Sequence, residues 1–163
     1  MFTRRLALPA RSFLLLGPRG TGKTTWLRAQ LPRARWYNLL LDRELLRLMR
    51  DPATFRNEIE ALPRGSWVVV DEVQKLPSLL NEIHDALTSA PRRWRFALTG
   101  SSARRLRREN VNLLAGRVVT RRMLPLTAAE LGGEPATDDL LRFGGLPLVR
   151  SERGHAARID LLE

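Results

Sequence analysis

The chain contains no cysteine, which excludes disulfide bonds and thiolate metal sites. It has only two histidines, His84 and His155, and their wide separation in the sequence gives no indication of a metal site. Long apolar runs are also missing, because stretches such as residues 13–16 and 67–70 are far too short to span a bilayer. We therefore expect a protein that does not enter a membrane.

The N-terminus superficially resembles an export signal, with arginines followed by apolar residues. Pro9, Arg11 and Ser12 interrupt the apolar stretch, and it runs directly into a glycine-rich loop. We therefore expect no export and a cytoplasmic location.

Lysine is scarce, since only Lys23 and Lys75 are found among 28 basic residues. The formal net charge is +11, which can indicate nucleic-acid binding. Arginines are spread over the whole chain and interspersed with acidic residues, which favours a general preference for arginine over a binding surface. Contact with a nucleic-acid backbone stays open for one basic cluster, formed by Arg104, Arg105, Arg107 and Arg108.

Short apolar runs alternate with amphipathic stretches along most of the chain. The runs predict strands at residues 12–16, 35–40, 66–70, 94–98 and 118–123. The stretches predict helices at residues 23–31, 42–50, 52–62, 77–89, 102–114 and 127–131. This order predicts an α/β fold with an open parallel sheet and helices on both faces. Residues 132–135 (GGEP) suggest a boundary between a core, residues 1–131, and a short tail, residues 132–163.

Residues 17–24 read GPRGTGKT, a glycine-rich phosphate loop with a predicted strand before it and a predicted helix after it. Gly17, Gly20 and Gly22 permit the backbone to curl around phosphate oxygens with its N–H groups. Lys23 supplies an ammonium group for the β- and γ-phosphates, and Thr24 offers a hydroxyl to Mg²⁺. The motif predicts binding of a nucleoside triphosphate, ATP in the first place, although no motif for base selectivity is present.

Polar residues follow two of the predicted strands. The strand SWVVV ends in Asp71 and Glu72, which would bind Mg²⁺ and act as general base toward water, respectively. The alternative is a pair of acidic residues that cap the next segment. The strand WRFAL ends near Thr99 and Ser101, which could hold water or contact the γ-phosphate, or simply cap a helix. Arg117, in NLLAGR, is a candidate for γ-phosphate contact in the same chain or from a neighbouring subunit.

The segments GPRGTGKTT, WVVVDEVQKLP, LTGSSARRL, LLAGR and GGLP together resemble the bacterial and archaeal AAA-type P-loop ATPases, over residues 13–147. In that family the ATPase domain usually precedes a C-terminal domain of unknown function. The resemblance implies a P-loop NTPase three-layer α/β/α sandwich with a mainly parallel five-stranded sheet. It also implies that the strand with the polar tip lies between the P-loop strand and the acidic strand. This is the additional-strand class, in which a glutamate beside the magnesium aspartate activates water.

By the same resemblance, Thr24 and Asp71 would hold Mg²⁺, Glu72 would be the catalytic glutamate, and Thr99 and Ser101 match the sensor segment. Arg117 matches a glycine–arginine position of the family. Since family members continue for a few hundred residues, residues 132–163 are expected to begin a lid or second domain. The residues that carry over as nucleotide-binding are Gly17, Pro18, Arg19, Gly20, Thr21, Gly22, Lys23, Thr24 and Thr25.

The sequence leaves several functions open. The first is a magnesium-dependent ATPase that forms ADP and phosphate and drives a movement of itself or of an unknown protein partner, as a monomer or a homo-oligomer. The second is a nucleotide-dependent switch with little turnover. A nucleic-acid-binding module and a small-molecule kinase are further alternatives, although the Asp71–Glu72 pair favours water as the acceptor.

Overall fold

A parallel five-stranded sheet forms the centre of the fold in a computed structural model that describes residues 2–101, 114–132, 137–152 and 154–161. The order across the sheet is β2-β3-β4-β1-β5, and each neighbouring pair is parallel. Because β4 lies between β1 and β3, the strand order agrees with the additional-strand arrangement. The strands are β1 (Phe13–Leu16), β2 (Arg35–Asn38), β3 (Ser66–Asp71), β4 (Trp94–Gly100) and β5 (Val119–Arg122).

Helices connect the strands and also form the tail. In the core they are α1 (Lys23–Gln30), α2 (Asp42–Arg50), α3 (Ala53–Glu60) and α4 (Leu79–Ser89). Short 3₁₀ turns span Val73–Lys75 and Ala128–Glu130. The tail contains α5 (Thr137–Phe143), α6 (Pro147–Ser151) and α7 (His155–Asp160). No helix among the described residues is long and apolar enough to cross a bilayer.

The sheet is covered on both faces because its strand residues alternate between two apolar clusters. On β1, Leu14 and Leu16 belong to the larger cluster, which includes residues of α2, α3 and α4. Phe13 and Leu15 belong to the second cluster, with Trp26 and Leu27 of α1. This three-layer arrangement confirms the predicted α/β fold.

Two strands extend further than their apolar runs suggest. β3 continues to Asp71, which pairs with Asn38, and β4 continues to Gly100, which pairs with Leu16. In contrast, β2 ends at Asn38 and not at residue 40, because the Asn38 Oδ1 accepts a hydrogen bond from the Leu40 N–H at 3.1 Å and turns the chain.

Some predicted features fall outside the described residues. Residues 102–113 of the predicted helix at 102–114 lie outside the described residues. This range includes the basic cluster of Arg104, Arg105, Arg107 and Arg108. Residues 133–136 also lie there, so the boundary between core and tail stays a prediction.

Candidate nucleotide site at the carboxyl edge of the sheet

The P-loop leaves β1 at Gly17 and ends where α1 begins. The Gly17 N–H donates to the Gly100 carbonyl of β4 at 3.3 Å. A Cβ on Gly17 would lie 2.0 Å from the Met123 carbonyl oxygen, a distance that no side chain tolerates. Gly20 and Gly22 have φ values of 82° and 84°, a region that glycine adopts without strain. The glycines therefore permit both the curl of the loop and its close contact with the residue after β5.

Lys23 is only 5% exposed, and its ammonium points back into the loop. It donates to the Gly17 carbonyl at 2.7 Å and to the Pro18 carbonyl at 3.0 Å. Burial lowers the pKa of Lys23, while the carboxylates of Glu72 and Asp71 act in the opposite direction. The positive charge thus lies between the loop backbone and two acidic residues, at the amino end of α1, where the helix dipole also favours an anion.

A chain of hydrogen bonds connects α1, β3 and β4. The Thr24 hydroxyl donates to Oδ2 of Asp71 at 2.8 Å, and the Thr99 hydroxyl donates to Oδ1 of the same carboxylate at 2.5 Å. The Thr99 oxygen also accepts the Glu72 N–H at 2.8 Å. Asp71 and Thr99 are both buried, so these bonds satisfy groups that water does not reach.

The donor set at Thr24 and Asp71 fits Mg²⁺. The cation prefers oxygen ligands and is commonly held by one or two carboxylates together with phosphate oxygens and water. The hydroxyl and the carboxylate meet at the head of α1, beside the phosphate loop. Among the described residues, no three His, Cys, Asp or Glu side chains form a protein-only metal site.

Glu72 has an unusual backbone, with φ 59° and ψ 52° in the left-handed region. Such a conformation in a non-glycine residue carries strain and is typical of functional positions. It turns the chain from β3 into the 3₁₀ turn at Val73–Lys75. Gln74 on this turn donates a hydrogen bond to Oε2 of Glu72 and another to the Ser101 hydroxyl oxygen at 3.1 Å.

Arg117 lies at the amino ends of the strands, opposite the carboxyl ends where the P-loop lies. It precedes β5 by two residues, and the first residue of β5, Val119, pairs with the first residue of β1, Phe13. Its Nε donates to the Thr88 hydroxyl near the end of α4 at 3.1 Å. The P-loop follows the last residue of β1, so the Arg117 of this chain does not reach its own phosphate loop. The predicted contact within the same chain is therefore not supported, which leaves contact from a neighbouring subunit as the prediction.

The tail lies close to the phosphate loop. Leu146 Cδ2 lies 3.9 Å from the position that a Cβ on Gly20 would take, and Pro147 Cγ lies 4.0 Å from that of Gly22. Gly145 holds this segment in place, because its carbonyl accepts the Leu126 N–H at 2.6 Å. A Cβ on Gly145 would lie 2.5 Å from the Leu126 carbonyl oxygen. The GGLP segment thus lies beside the loop at two of its glycines.

Comparison with known proteins agrees with this geometry. A family model described as "AAA domain" matches residues 10–132, which is more than half of the chain. The chain belongs to this AAA domain family. No curated protein matches the chain.

Solved structures share the fold of this AAA domain. The Walker-type ATPase of Pyrococcus abyssi is similar with a TM-score of 0.56 and 19% identity over 84% of this chain and 59% of that one. RuvB of Thermotoga maritima is similar with a TM-score of 0.53 and 18% identity, over 74% of this chain and 40% of that one. Cdc6p of Pyrobaculum aerophilum is similar with a TM-score of 0.50 and 19% identity, over 74% of this chain and 40% of that one. The chain therefore spans less than two thirds of each of these structures.

Most of the predicted site residues come together in the fold. Lys23, Thr24, Asp71, Glu72 and Thr99 meet at the carboxyl edge of β1, β3 and β4, although their roles stay predictions. Ser101 joins them through Gln74, which the sequence analysis did not single out. The signal for Gln74 was its place two residues after the acidic pair. The remaining loop residues take their expected positions in the P-loop and the first turn of α1: Pro18, Arg19, Thr21 and Thr25.

Proposed function

We propose that this AAA domain binds ATP with Mg²⁺ and hydrolyses it to ADP and phosphate, with a resulting movement of its tail or of a protein partner. The observation that carries the proposal is the hydrogen bond between the threonine after the P-loop lysine and the carboxylate at the end of β3. The Thr24 hydroxyl bonds to Asp71, and the next residue, Glu72, is fixed to Thr99. A glycine turn with a solvated lysine would need none of these contacts.

Each group has a task in the proposed reaction. Loop N–H groups and the Lys23 ammonium would bind the phosphates, while Thr24 and Asp71 would hold Mg²⁺, which neutralises phosphate charge when bound. The Glu72 carboxylate would accept a proton from a water whose oxygen attacks the γ-phosphorus. The bond from that phosphorus to the β–γ bridging oxygen breaks, and ADP leaves with the electron pair.

The position of Leu146 and Pro147 beside the loop supports coupling to the tail. A Cβ on Gly20 or Gly22, whose backbone would surround phosphate, would lie 3.9 Å from Leu146 Cδ2 or 4.0 Å from Pro147 Cγ, respectively. A change in the loop conformation would therefore shift the residues at the amino end of α6. α5 is joined to both α6 and α7, since its Asp139 accepts hydrogen bonds from Arg150 of α6 and Arg158 of α7.

Calorimetry and phosphate release test the proposal. Lys23→Ala should abolish ATP binding in millimolar Mg²⁺, whereas Lys75→Ala, which changes the other lysine at an exposed position, should bind as the unaltered chain does. Glu72→Gln should keep the affinity and lower turnover by roughly 100-fold or more. Binding that survives Lys23→Ala, or full turnover in Glu72→Gln, contradicts the proposed roles.

A second candidate is a nucleotide switch whose turnover depends on another copy of the chain. The position of Arg117 favours it, because an arginine at this edge would reach a γ-phosphate only in a neighbouring subunit. In that case the specific activity should rise with protein concentration, and Arg117→Ala should remove the rise without changing ATP affinity. Light scattering measures the assembly in parallel, and a concentration-independent rate contradicts this candidate.

A further inference from the structure

Gln74 connects the proposed general base to the tip of β4. Its Nε2 donates to Oε2 of Glu72 and to the Ser101 Oγ at 3.1 Å. The carboxylate after β3 and the hydroxyl after β4 are therefore joined by one amide group, although the two strand ends are 29 residues apart in sequence, from position 72 to position 101.

The backbone holds Gln74 in this place. The Lys75 N–H donates to the Glu72 carbonyl at 2.9 Å, and the Leu76 N–H donates to the Val73 carbonyl at 3.1 Å. Val73 is completely buried and anchors the turn in the core. The left-handed conformation of Glu72 sets the direction in which the turn leaves β3. The distance between the two side chains is thus set by the turn itself.

The donor and acceptor groups of the Gln74 amide also indicate that its NH₂ group faces Glu72. A carbonyl oxygen facing a carboxylate would be repelled, so the NH₂ group is the end that suits this neighbour. The other end, Oε1, is buried and accepts no hydrogen bond from any described residue. A buried acceptor without a donor costs free energy, and a Met or Leu of similar size would avoid that cost. Packing alone therefore does not account for a glutamine here.

We propose that Gln74 is a positioning residue that fixes the orientation of the Glu72 carboxylate, with Ser101 fixing Gln74 in turn. The inference rests on the proposed role of Glu72 as general base. A free glutamate side chain samples several rotamers, whereas a general base acts only within hydrogen-bond reach of its proton. Through Gln74, the site holds this carboxylate toward the tip of β4.

Single-turnover hydrolysis in the full chain tests the role. Gln74→Met keeps the size of the side chain and removes the amide, and Gln74→Glu keeps the shape and replaces the donor with a repelling carboxyl group. Both should lower the rate of hydrolysis at saturating ATP by roughly 10- to 100-fold, because a misplaced catalytic group loses rate in this range. The affinity for ATP should change less than about twofold, since neither change touches the P-loop. Ser101→Ala should lower the rate less, and Ser101→Thr should restore it.

The decisive measurement combines Gln74→Met with Glu72→Gln. If Gln74 acts through Glu72, the double variant should hydrolyse ATP as slowly as Glu72→Gln alone. A purely structural role would lower the residual rate further or weaken ATP binding, and either result would overturn the inference. A normal rate in both single variants would also overturn it while leaving the proposed ATPase intact. If the unaltered chain hydrolyses no ATP at all, the proposed function fails, and the role of Gln74 fails with it.

Discussion

Thr99 uses its hydroxyl in two directions at once. It donates to Oδ1 of Asp71 and accepts the backbone N–H of Glu72. The residue thus orients a predicted metal ligand and supports the strained backbone of the predicted base. Because Thr99 and Asp71 are both buried, water cannot replace either bond.

Replacing Thr99 with Val should remove these hydrogen bonds and leave the packing nearly unchanged, because Val has nearly the same shape as Thr. We expect a loss of about 1–3 kcal/mol in the free energy of unfolding, because the Glu72 N–H and the Asp71 carboxylate lose a partner. Thr99→Ser, which keeps the hydroxyl, should lose less. Urea denaturation measures both variants, and equal stability of Val and Thr at this position contradicts the assigned bonds.

Local signals account for the part of the site that the sequence predicted. Lys23 and Thr24 belong to a motif of fixed spacing, and Asp71 and Glu72 stand out because carboxylates directly follow a buried apolar strand. Gln74 follows the acidic pair by two residues, but that spacing alone does not predict its contacts, and Leu146 had no local signal. The contact of Gln74 with Glu72 depends on a left-handed turn, and that of Leu146 on the packing of the tail against the loop.

At the scale of elements, Glu58 of α3 joins two neighbours. It accepts hydrogen bonds from Arg35 at 2.9 Å and Tyr37 at 2.8 Å, both on β2, and from Arg47 of α2 at 2.6 Å. Burial acts to raise the pKa of Glu58, but the bonds from Arg47, Tyr37 and Arg35 outweigh it, so the pKa lies below its ordinary value of 4.5. The ionised form is therefore more favourable in the folded chain than in the unfolded one.

A lowered pKa contributes stability above the unfolded value of 4.5, and this contribution is lost as the pH falls through the folded pKa. Glu58→Gln should therefore destabilise the fold by about 1 kcal/mol at neutral pH, where the charged bonds are partly screened by solvent. The difference from the unaltered chain should shrink below about pH 5. Glu60→Gln on the same helix, where the exposed carboxylate pairs with Arg56, should change stability by less than about 0.5 kcal/mol. A difference that grows with acidification contradicts the assignment.

Elements with strong local patterns were predicted well. α2 has the predicted bounds, 42–50, because acidic residues begin it and basic residues end it, in accord with the helix dipole. The tail helices were not predicted. α5, α6 and α7 have only 7, 5 and 6 residues, too few for an amphipathic period to be recognised. Long-range contacts, such as those of Asp139 with Arg150 and Arg158, hold them instead.

In the molecule as a whole, the tail is attached to the core at Gly145. Gly145→Ala should push the segment away from Leu126, because a Cβ would lie 2.5 Å from a backbone oxygen. We expect faster amide exchange in residues 137–161 and a changed ATP affinity, with the core sheet still protected. Gly154→Ala, whose Cβ would meet the Ala157 Cβ at an ordinary distance of 3.8 Å, is the matched control. Unchanged exchange in the tail of the Gly145 variant contradicts the proposed attachment.

The excess of arginine also has a use within the fold. Guanidinium groups lie over aromatic rings at several places, including Arg28 over Trp36 at 4.4 Å and Arg95 over Trp67 at 4.7 Å. Such stacking stabilises the chain without any external partner. These contacts support the interpretation that the net charge of +11 does not by itself indicate nucleic-acid binding.

The two outer strands of the sheet both expose arginine side chains. β5 exposes Arg121 and Arg122, and β2 exposes Arg35. Charged side chains on a border strand discourage backbone pairing with another chain. If copies of this protein associate, we therefore expect them to meet through helices and loops and not by extending one continuous sheet, so an assembly would not grow into fibres by strand addition.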